Sequence, residues 1–372
     1  MKRKKLLLLF SLISLWLNPP ACGGSAGGGS ETSLDLSLLF TSFGQTLILP
    51  TYESLHTQTE MLSQNLNLLC ENLNEENLIQ AQNSWIEVHD LLMRSESFAI
   101  GPYHSLGLEN TINFWPARPT DIENFLVTQE SFSADSLVSL GVLARGLKPM
   151  EYLLFKEAEG TSNVLEGLNL SPKRCQFLNA MGEDLANQTS TLLNAWIPEG
   201  GNFSAELSLA GSDSQAYPNL NDALSSIINV ISQSLETWKD KKILKPQGIM
   251  SAEGIAQPDL VENPFAHHSR ESLQQNLLGL SLIYGTESNT DLRLYDLLAE
   301  KNLGLAQEGL VLIQNALISV ESMTLPLSQS LTEDPESVEA LSQSILELRD
   351  FFSGSVASVL GVTITFNDTD GD

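Results

Sequence analysis

The stretch TYESLHTQTEMLSQNLNLLCENL, residues 51–73, decides the fold class of this chain. Its leucines recur at spacings of three, four and seven residues, which places them on one face of an amphipathic helix. These leucines are Leu55, Leu62, Leu66, Leu69 and Leu73. Residues 171–196 and 335–356 repeat the helical spacing, and no run of comparable length shows the alternation of a strand. The sequence therefore predicts an all-α fold.

The length and composition suit two domains or one large helical domain. The chain has 372 residues, of which 42% are hydrophobic, so it can bury a sizeable core. Helices joined by segments rich in Gly, Pro, Asn and Ser are typical of antiparallel bundles. The stretch from Pro198 to Pro218 is the clearest internal boundary. We therefore expect an N-terminal helical bundle over residues 31–200 and a C-terminal helical bundle over residues 201–372.

The first thirty residues are typical of an export signal followed by a lipid anchor. A basic MKRKK precedes the apolar run LLLLFSLISLWL, which is too short to span a bilayer with ease and predicts a signal peptide over residues 1–21. Cys22 opens a Gly/Ser-rich tether over residues 22–30, a pattern that resembles the lipidated cysteine of bacterial lipoproteins. Gly23 gives no inner-membrane retention signal, so we expect an outer-membrane lipoprotein facing the periplasm or the cell surface. The alternative is ordinary secretion after cleavage at Ala21, which yields a soluble periplasmic protein.

Charge and cysteine content limit the classes of binding partner and the cellular compartment that suit this chain. Lys and Arg number 19 against 46 Asp and Glu, a formal net charge of -27. Nucleic-acid binders neutralise phosphates with cations, so this balance argues against nucleic acid and favours cationic partners. An exported chain meets an oxidising compartment, where the two remaining thiols, Cys70 and Cys175, more often form a disulfide than serve as nucleophile or metal ligand.

Common catalytic signatures are absent from the sequence. None of the five histidines belongs to an HExxH motif, CxxC and phosphate-loop patterns are missing, and the GxSxG spacing occurs only at residues 23–27, within the Gly/Ser tether, so any site must be assembled from scattered residues. One candidate segment is AQNSWIEVHDLLMRSESFAIGP, residues 81–102, in which Trp85, His89 and Glu96 fall on one helical face. A buried acid is costly unless a cation or metal pairs with it. Glu96 is therefore either half of an ion pair that braces neighbouring helices or a metal ligand.

The second candidate segment is GLKPMEYLLF, residues 146–155, where Lys148 and Glu151 are i and i+3 neighbours on one helical face. This segment resembles the GxHxxE signature of imelysin-like proteins, with Lys148 at the position of the family's histidine. Four other segments resemble family segments in the same order, and the resemblance covers essentially the whole mature chain. They are SWIEVHDLLMRSESFAIGP, NTINFWPARPTDIENFL, FAHHSRESLQQNLLG and TFNDTDGD.

The resemblance implies an all-helical, two-domain envelope protein with a functional cleft between its bundles and a link to the uptake of iron or another cation. It also implies a family cysteine pair at Cys70 and Cys175. Carried over, Glu96 and Glu151 are candidate metal ligands, whereas the histidine position holds Lys148. An ammonium group has no lone pair, repels a cation and can neutralise the two carboxylates from within. We therefore predict that the family metal site is lost or altered, and whether a divalent cation or iron serves as cofactor stays open.

Further polar residues are candidates for the cleft. His267, His268 and Ser269 can bring imidazoles in place of the missing ligand, or the two histidines can be surface or capping residues. His89 stands where we expect Arg in relatives, and it can share a buried polar network with the acid at the end of its helix. Arg118 is expected to pair with an acid across the interface.

Three functions stay open at this point. The first is a non-enzymatic binding lipoprotein whose interdomain cleft captures a cation, a metal chelate or a small polar ligand. The second is a metallopeptidase, a class in which the family was also placed, and it needs three ligands and an open water position. The third is an accessory scaffold that docks an outer-membrane transporter. The missing imidazole favours the first.

Overall fold

The computed structural model describes residues 34–156, 161–286 and 290–365. Within these ranges the chain is helical between its turns and contains no strand, which confirms the all-α prediction. The predicted signal peptide, the lipid-bearing Cys22 and the Gly/Ser tether all precede residue 34 and lie outside the described residues.

Sixteen α-helices follow one another along the described part of the chain. Their bounds are α1 Leu36–Ser42, α2 Leu49–Glu71, α3 Glu75–Ser95, α4 Pro102–Ser105, α5 Pro119–Thr128, α6 Ala134–Leu140, α7 Leu147–Phe155, α8 Thr161–Leu170, α9 Pro172–Trp196, α10 Phe203–Ser208, α11 Leu220–Thr237, α12 Ser269–Tyr284, α13 Leu294–Ser322, α14 Leu327–Glu333, α15 Pro335–Asp350 and α16 Ala357–Leu360. Turns of 3-10 helix lie at Glu96–Phe98, Leu108–Asn110, Val142–Ala144 and Pro258–Leu260. Turns of π-helix lie at Phe43–Ile48, Trp238–Leu244 and Phe351–Val356.

Capping residues and prolines set where several helices begin. Asn74 precedes α3, and its side chain accepts a hydrogen bond from the Asn77 amide over 2.9 Å. Asp334 caps α15 by accepting from the Ser337 amide. Pro172 lies in the first turn of α9, where the missing amide hydrogen would have no helical partner. The local sequence therefore determines where these helices begin.

Helices α2, α3 and α9 pack side by side and form the first part of the core. The leucines of α2 that face this core are fully buried, namely Leu55, Leu62, Leu66 and Leu69. Cys70 on α2 and Cys175 on α9 form a disulfide, with their Cα atoms 5.4 Å apart. Because the bond joins positions separated by 105 residues, it stabilises the fold by roughly 4 to 5 kcal/mol in the chain-entropy model.

Helices α11, α12, α13 and α15 form the second part of the core, and α12 also packs against α3. From residue 34 onward the chain is one compact unit, and its buried apolar side chains form one continuous cluster. The N-terminal α1 packs against α10, beyond the expected boundary. The division into bundles at residues 200 and 201 therefore stays a prediction, because helices from both sides share one core.

Among the described helices, α13 alone is long and apolar enough to cross a membrane by length and composition. It contacts α12 and α15, and it buries Leu298, Ala306 and Ile313. The backbone leaves helical geometry at Asn302, which kinks the helix. These contacts are those of a helix that contributes one face to a bundle core.

Candidate functional site

The segment that carries the predicted site begins at Gly146, immediately before α7. Gly146 has a φ of +75°, and a side chain there would collide with the carbonyl oxygen of Ile112. The Leu147 amide donates to that oxygen over 2.8 Å, and the Leu147 carbonyl accepts from the Trp85 indole over 2.9 Å. These contacts fix the start of α7 against α3.

Lys148 and Glu151 are both buried, with 1% and 0% of their side-chain surface exposed. The Lys148 ammonium lies 3.8 Å from Oε2 of Glu151 and donates a hydrogen bond to Oδ1 of Asn263. Oε1 of Glu151 accepts from the backbone amides of Phe265 and Ala266 over 3.0 and 3.1 Å. The Glu151 carboxylate is thus held by a cation on its own helix and by the backbone that leads into α12.

Burial dominates the ionisation of this pair. It raises the pKa of Glu151 to about 7, against the attraction of the Lys148 ammonium and the two backbone amides. Burial also lowers the pKa of Lys148, against the attraction of the Glu262 and Glu151 carboxylates. Glu151 is therefore partly protonated near neutral pH.

Glu96 forms an ion pair with a lysine from the second half of the chain. Its Oε2 lies 3.1 Å from the ammonium of Lys242, which belongs to the π-helical turn after α11. The same oxygen accepts from the Trp238 indole and from the Asn276 side-chain amide, each over 2.8 Å. Glu96 is therefore an acid with three donors, as the ion-pair interpretation of the sequence requires.

The expectation that Lys148 neutralises both family acids needs a correction. Lys148 pairs with Glu151, whereas Lys242 pairs with Glu96 and also lies 3.1 Å from Oε2 of Glu262. The physical reason is the fold, because Glu96 follows the end of α3 and there meets the π-helical turn rather than the start of α7.

For Lys242 and Glu262, attraction between opposite charges has a larger effect on the pKa than burial has. Against the effect of burial, Glu262 and Glu96 raise the pKa of Lys242. Also against burial, the ammonium groups of Lys242 and Lys148 lower the pKa of Glu262. Burial keeps the pKa of Glu96 raised despite Lys242. The network thus contains three carboxyl groups and two ammonium groups, and its lysines hold it close to neutrality.

Asn263 links the parts of this network. Its side-chain amide donates to Oγ of Ser272 over 2.7 Å and lies 3.2 Å from Nε2 of His89. Its backbone amide donates to Oγ of Ser269 over 2.8 Å. Burial, followed by the charges of nearby cations, holds the pKa of His89 well below its ordinary value. His89 and Ser269 therefore belong to the buried network, and His89 is a neutral imidazole.

His268 lies at the edge of the network. Its Nε2 is 2.7 Å from Oδ1 of Asp90, and its ring centroid is 5.9 Å from that of His89. These three residues offer metal-ligand atoms within 4.8 Å of one another. However, the Asn263 amide faces Nε2 of His89, which assigns the ring hydrogen to Nδ1 and leaves no lone pair for a metal. The cluster is therefore better explained as hydrogen-bonded side chains than as a metal centre.

Two predicted site residues lie away from the network. Arg118 is exposed at the N-cap of α5, and the ion pairs between described residues do not include it, so the expected pairing across the interface is not formed. His267 is exposed and has a φ of +53°. Both side chains are exposed, so water can solvate them.

Sequence reasoning missed Lys242, Glu262 and Asn263. Lys242 lies in KDKKILK, residues 239–245, and a run of charges is typical of a solvated face. No spacing distinguishes the one lysine of this run that pairs with Glu96. Glu262 and Asn263 lie directly before the segment FAHHSRESLQQNLLG, so its family resemblance was the signal that could have found them.

A cleft of about 410 Å³ opens beside the network, and Glu96 and Lys242 both line it. This volume is in the range of small-molecule sites. Its aromatic and exposed basic lining residues are Tyr103, Phe114, Trp115, Lys241 and Lys245. The cleft therefore reaches the network on the Glu96 side and combines apolar walls with cations.

The residues of the network do not fit a transition-metal ion. Such an ion needs lone pairs from neutral imidazoles, thiolates or carboxylates. Here the position of the signature histidine carries the Lys148 ammonium, and a second ammonium, that of Lys242, lies on Glu96. The carboxylates are already neutralised by groups that cannot coordinate a metal.

Comparison with known proteins identifies the family and one curated relative. The family model described as Peptidase_M75, imelysin, matches residues 48–353. Iron-regulated protein A of Synechococcus elongatus is 25% identical over 258 residues, which make up 69% of this chain and 66% of that protein. The match thus spans just under two thirds of the relative's length.

Two solved structures share the fold. An iron-regulated protein A precursor from Parabacteroides distasonis superposes with a TM-score of 0.77 at 17% identity, over 89% of this chain and 97% of that one. An imelysin-like protein from Psychrobacter arcticum superposes with a TM-score of 0.72 at 15% identity, over 90% of this chain and 99% of that one. Because the family model covers residues 48–353 and its signature segment builds the start of α7, this chain belongs to the imelysin family.

Proposed function

We propose that this chain is an exported, non-enzymatic binding protein of the cell envelope, linked to the uptake of iron or another cation, with its family metal site replaced by internal ion pairs. The observation that carries the proposal is the position of Lys148. Its ammonium group is buried beside Glu151 at the place of the signature histidine.

Electrostatics makes a metal ion at this position unfavourable. A divalent ion 4 Å from one ammonium group is repelled by roughly 8 kcal/mol at an effective dielectric constant of about 20. An ion bound between Glu96 and Glu151 would approach both Lys148 and Lys242. Displacing either lysine from its partners leaves a buried ammonium without compensation, which is also costly.

The same argument disfavours peptidase chemistry. A catalytic zinc site uses three protein ligands and keeps a fourth position for water. Glu96 and Glu151 are the two family acids present, and neither has a neutral imidazole from the signature motif beside it. Of peptidase chemistry and binding in the cleft, binding is the function that needs no metal.

The link to iron and to the envelope has two sources of support. The Synechococcus relative is named for iron regulation, and we extend that association to this chain. The sequence of residues 1–30 predicts export and a lipid anchor at Cys22. Anchored there, the protein would hold its cleft near an outer-membrane transporter, which we propose as the partner that receives the ligand.

Peptide hydrolysis measured with and without a metal chelator, together with metal analysis of the purified protein, tests this proposal. We expect no chelator-sensitive hydrolysis and no stoichiometric iron or zinc whose retention depends on Glu151. Chelator-sensitive hydrolysis that is lost in Glu151→Gln and kept in Glu53→Gln, an exposed control on α2, would contradict the proposal.

A further inference from the structure

We propose that the cleft beside Glu96 binds a small hydroxy-polycarboxylate, either free or as its ferric chelate. This inference rests on the proposed binding function and names the class of ligand that the cleft captures. It is carried by the cations, the buried polar atom and the size of the cleft.

The first argument is that two cations of the cleft are available to a ligand. Lys241 and Lys245 lie one helical turn apart, are exposed and line the cleft. Neither takes part in the ion pairs between described residues. The segment of residues 239–245 contains four of the chain's 19 Lys and Arg, on a protein with a net charge of -27. Ammonium groups so placed attract carboxylates.

The other charged groups that line the cleft contact polar groups of the protein. Glu96 lies 3.1 Å from Lys242. Glu109 accepts a hydrogen bond from the Asn110 side chain over 3.4 Å and lies 3.7 Å from Nδ1 of His104. Lys241 and Lys245 are therefore the lining cations that remain available to an incoming anion. Two lysines suit a ligand with at least two carboxylates.

The second argument is a buried hydrogen-bond acceptor that has no donor among the described residues. Asn113 lines the cleft, and its side-chain amide nitrogen donates to Oε1 of Glu262 over 3.0 Å. Its Oδ1 is buried and has no hydrogen-bond partner among the described residues. An unsatisfied buried acceptor costs free energy that a ligand hydroxyl can recover by donating to it. A ligand hydroxyl that reaches this atom, which the protein shields from solvent, would satisfy it, so a hydroxyl group in addition to carboxylates should strengthen binding.

The third argument concerns the size of the ligand. A cleft of about 410 Å³ holds a small molecule, and Tyr103 and Trp115 supply apolar contact for its carbon skeleton. The strongly acidic chain repels a long polyanion, whereas a small anion close to the lysines feels mainly their charge, because screening limits interactions to about 8 Å at physiological salt. Ligands of this class also chelate ferric iron, which agrees with the proposed link to iron.

Calorimetric titration of the full chain with citrate, tricarballylate and ferric citrate tests the inference. Tricarballylate has the three carboxylates of citrate and lacks its hydroxyl. We expect citrate to bind more tightly than tricarballylate, with an affinity that falls as salt rises. The double substitution Lys241→Gln/Lys245→Gln should weaken citrate binding about tenfold. Lys301→Gln, an exposed lysine of α13 that does not line the cleft, should leave it unchanged.

Three outcomes would overturn the inference. Failure of both citrate and ferric citrate to bind at millimolar concentration removes the ligand class. Citrate affinity that is unchanged by the double substitution removes the role of the lysines, and equal affinity for citrate and tricarballylate removes the role of Asn113. None of these outcomes touches the hydrolysis and metal analysis above, so failure of this inference and failure of the proposed function are distinguishable.

Discussion

The ammonium of Lys242 lies 3.1 Å from the carboxylate of Glu96, and this contact joins the turn after α11 to the end of α3. Lys242 is 2% exposed, whereas Glu96 keeps 23% of its side-chain surface exposed and lines the cleft. For Glu96, a cation from the second half of the chain thus fills the role that the family resemblance assigned to Lys148. The pair connects the ligand cleft to the buried network.

Replacement of Lys242 by methionine should destabilise the protein strongly. The substitution keeps the apolar bulk and leaves Glu96 and the buried Glu262 without their shared cation, which costs about 3 to 5 kcal/mol for a buried pair. Urea unfolding measures the loss. Lys241→Met, at the exposed neighbouring position, should change the free energy of unfolding by no more than about 0.5 kcal/mol. Equal losses in the two variants would contradict the assignment.

Glu151 should make stability depend on pH in a direction opposite to that of an ordinary carboxylate. Its pKa rises from 4.5 to about 7 on folding, so between these values the folded protein holds a proton that the unfolded chain releases. Its contribution is greatest below pH 4.5 and is lost as the pH rises to about 7. The free energy of unfolding of the wild type, relative to Glu151→Gln, should therefore fall by about 3 kcal/mol over this window.

Glu123 provides a control of opposite sign for the pH experiment. Tyr152 and Arg174 donate hydrogen bonds to its carboxylate over 2.6 Å each. Although burial acts against it, these donors lower the pKa of Glu123. Its stabilisation is therefore present above pH 4.5 and is lost as the pH falls below that value. If the Glu151→Gln and Glu123→Gln differences ran in the same direction with pH, the burial argument for Glu151 would be wrong.

Gly146→Ala should cost more than Gly107→Ala. Both glycines have positive φ, +75° and +66°, so both substitutions strain the backbone by about 1 to 2 kcal/mol. A Cβ at position 107 meets nothing within 4 Å, whereas at position 146 it collides with the carbonyl oxygen of Ile112. Thermal unfolding should place Gly146→Ala below Gly107→Ala in Tm. The opposite order would show that the start of α7 is not held as described.

Loss of the disulfide should lower stability without changing the fold. Cys70→Ser/Cys175→Ser should lower the free energy of unfolding by about 2 to 5 kcal/mol. Wild-type protein treated with a reductant should unfold at the same Tm as the double variant. A double variant with the same Tm as the oxidised wild type would contradict a stabilising role for this bond.

Helix positions were predictable because the information is local. The leucine spacing of residues 51–73 predicts α2, which ends at Glu71 before Leu73, and Pro172 and Pro335 mark the starts of α9 and α15. Each of these signals acts within a few turns of helix and does not depend on where other helices pack. The boundary between bundles is different, because it depends on which distant helices share a core.

The site was only partly predictable for the same reason. Lys148 and Glu151 are neighbours in sequence, so their pairing follows from helical spacing. The partner of Glu96 lies 146 positions away in sequence, in a π-helical turn that no local pattern indicated. Arg118 shows the converse, since its charge predicted a partner and the fold leaves it in water.

The measurement that tests the central claim most directly is calorimetric titration of zinc into wild-type protein, Lys148→His and Glu151→Gln. If the Lys148 ammonium replaces the family metal, the wild type has no zinc site that depends on Glu151, and Lys148→His, which restores the signature motif, gains one. Zinc binding by the wild type at micromolar affinity that is lost in Glu151→Gln would contradict the account.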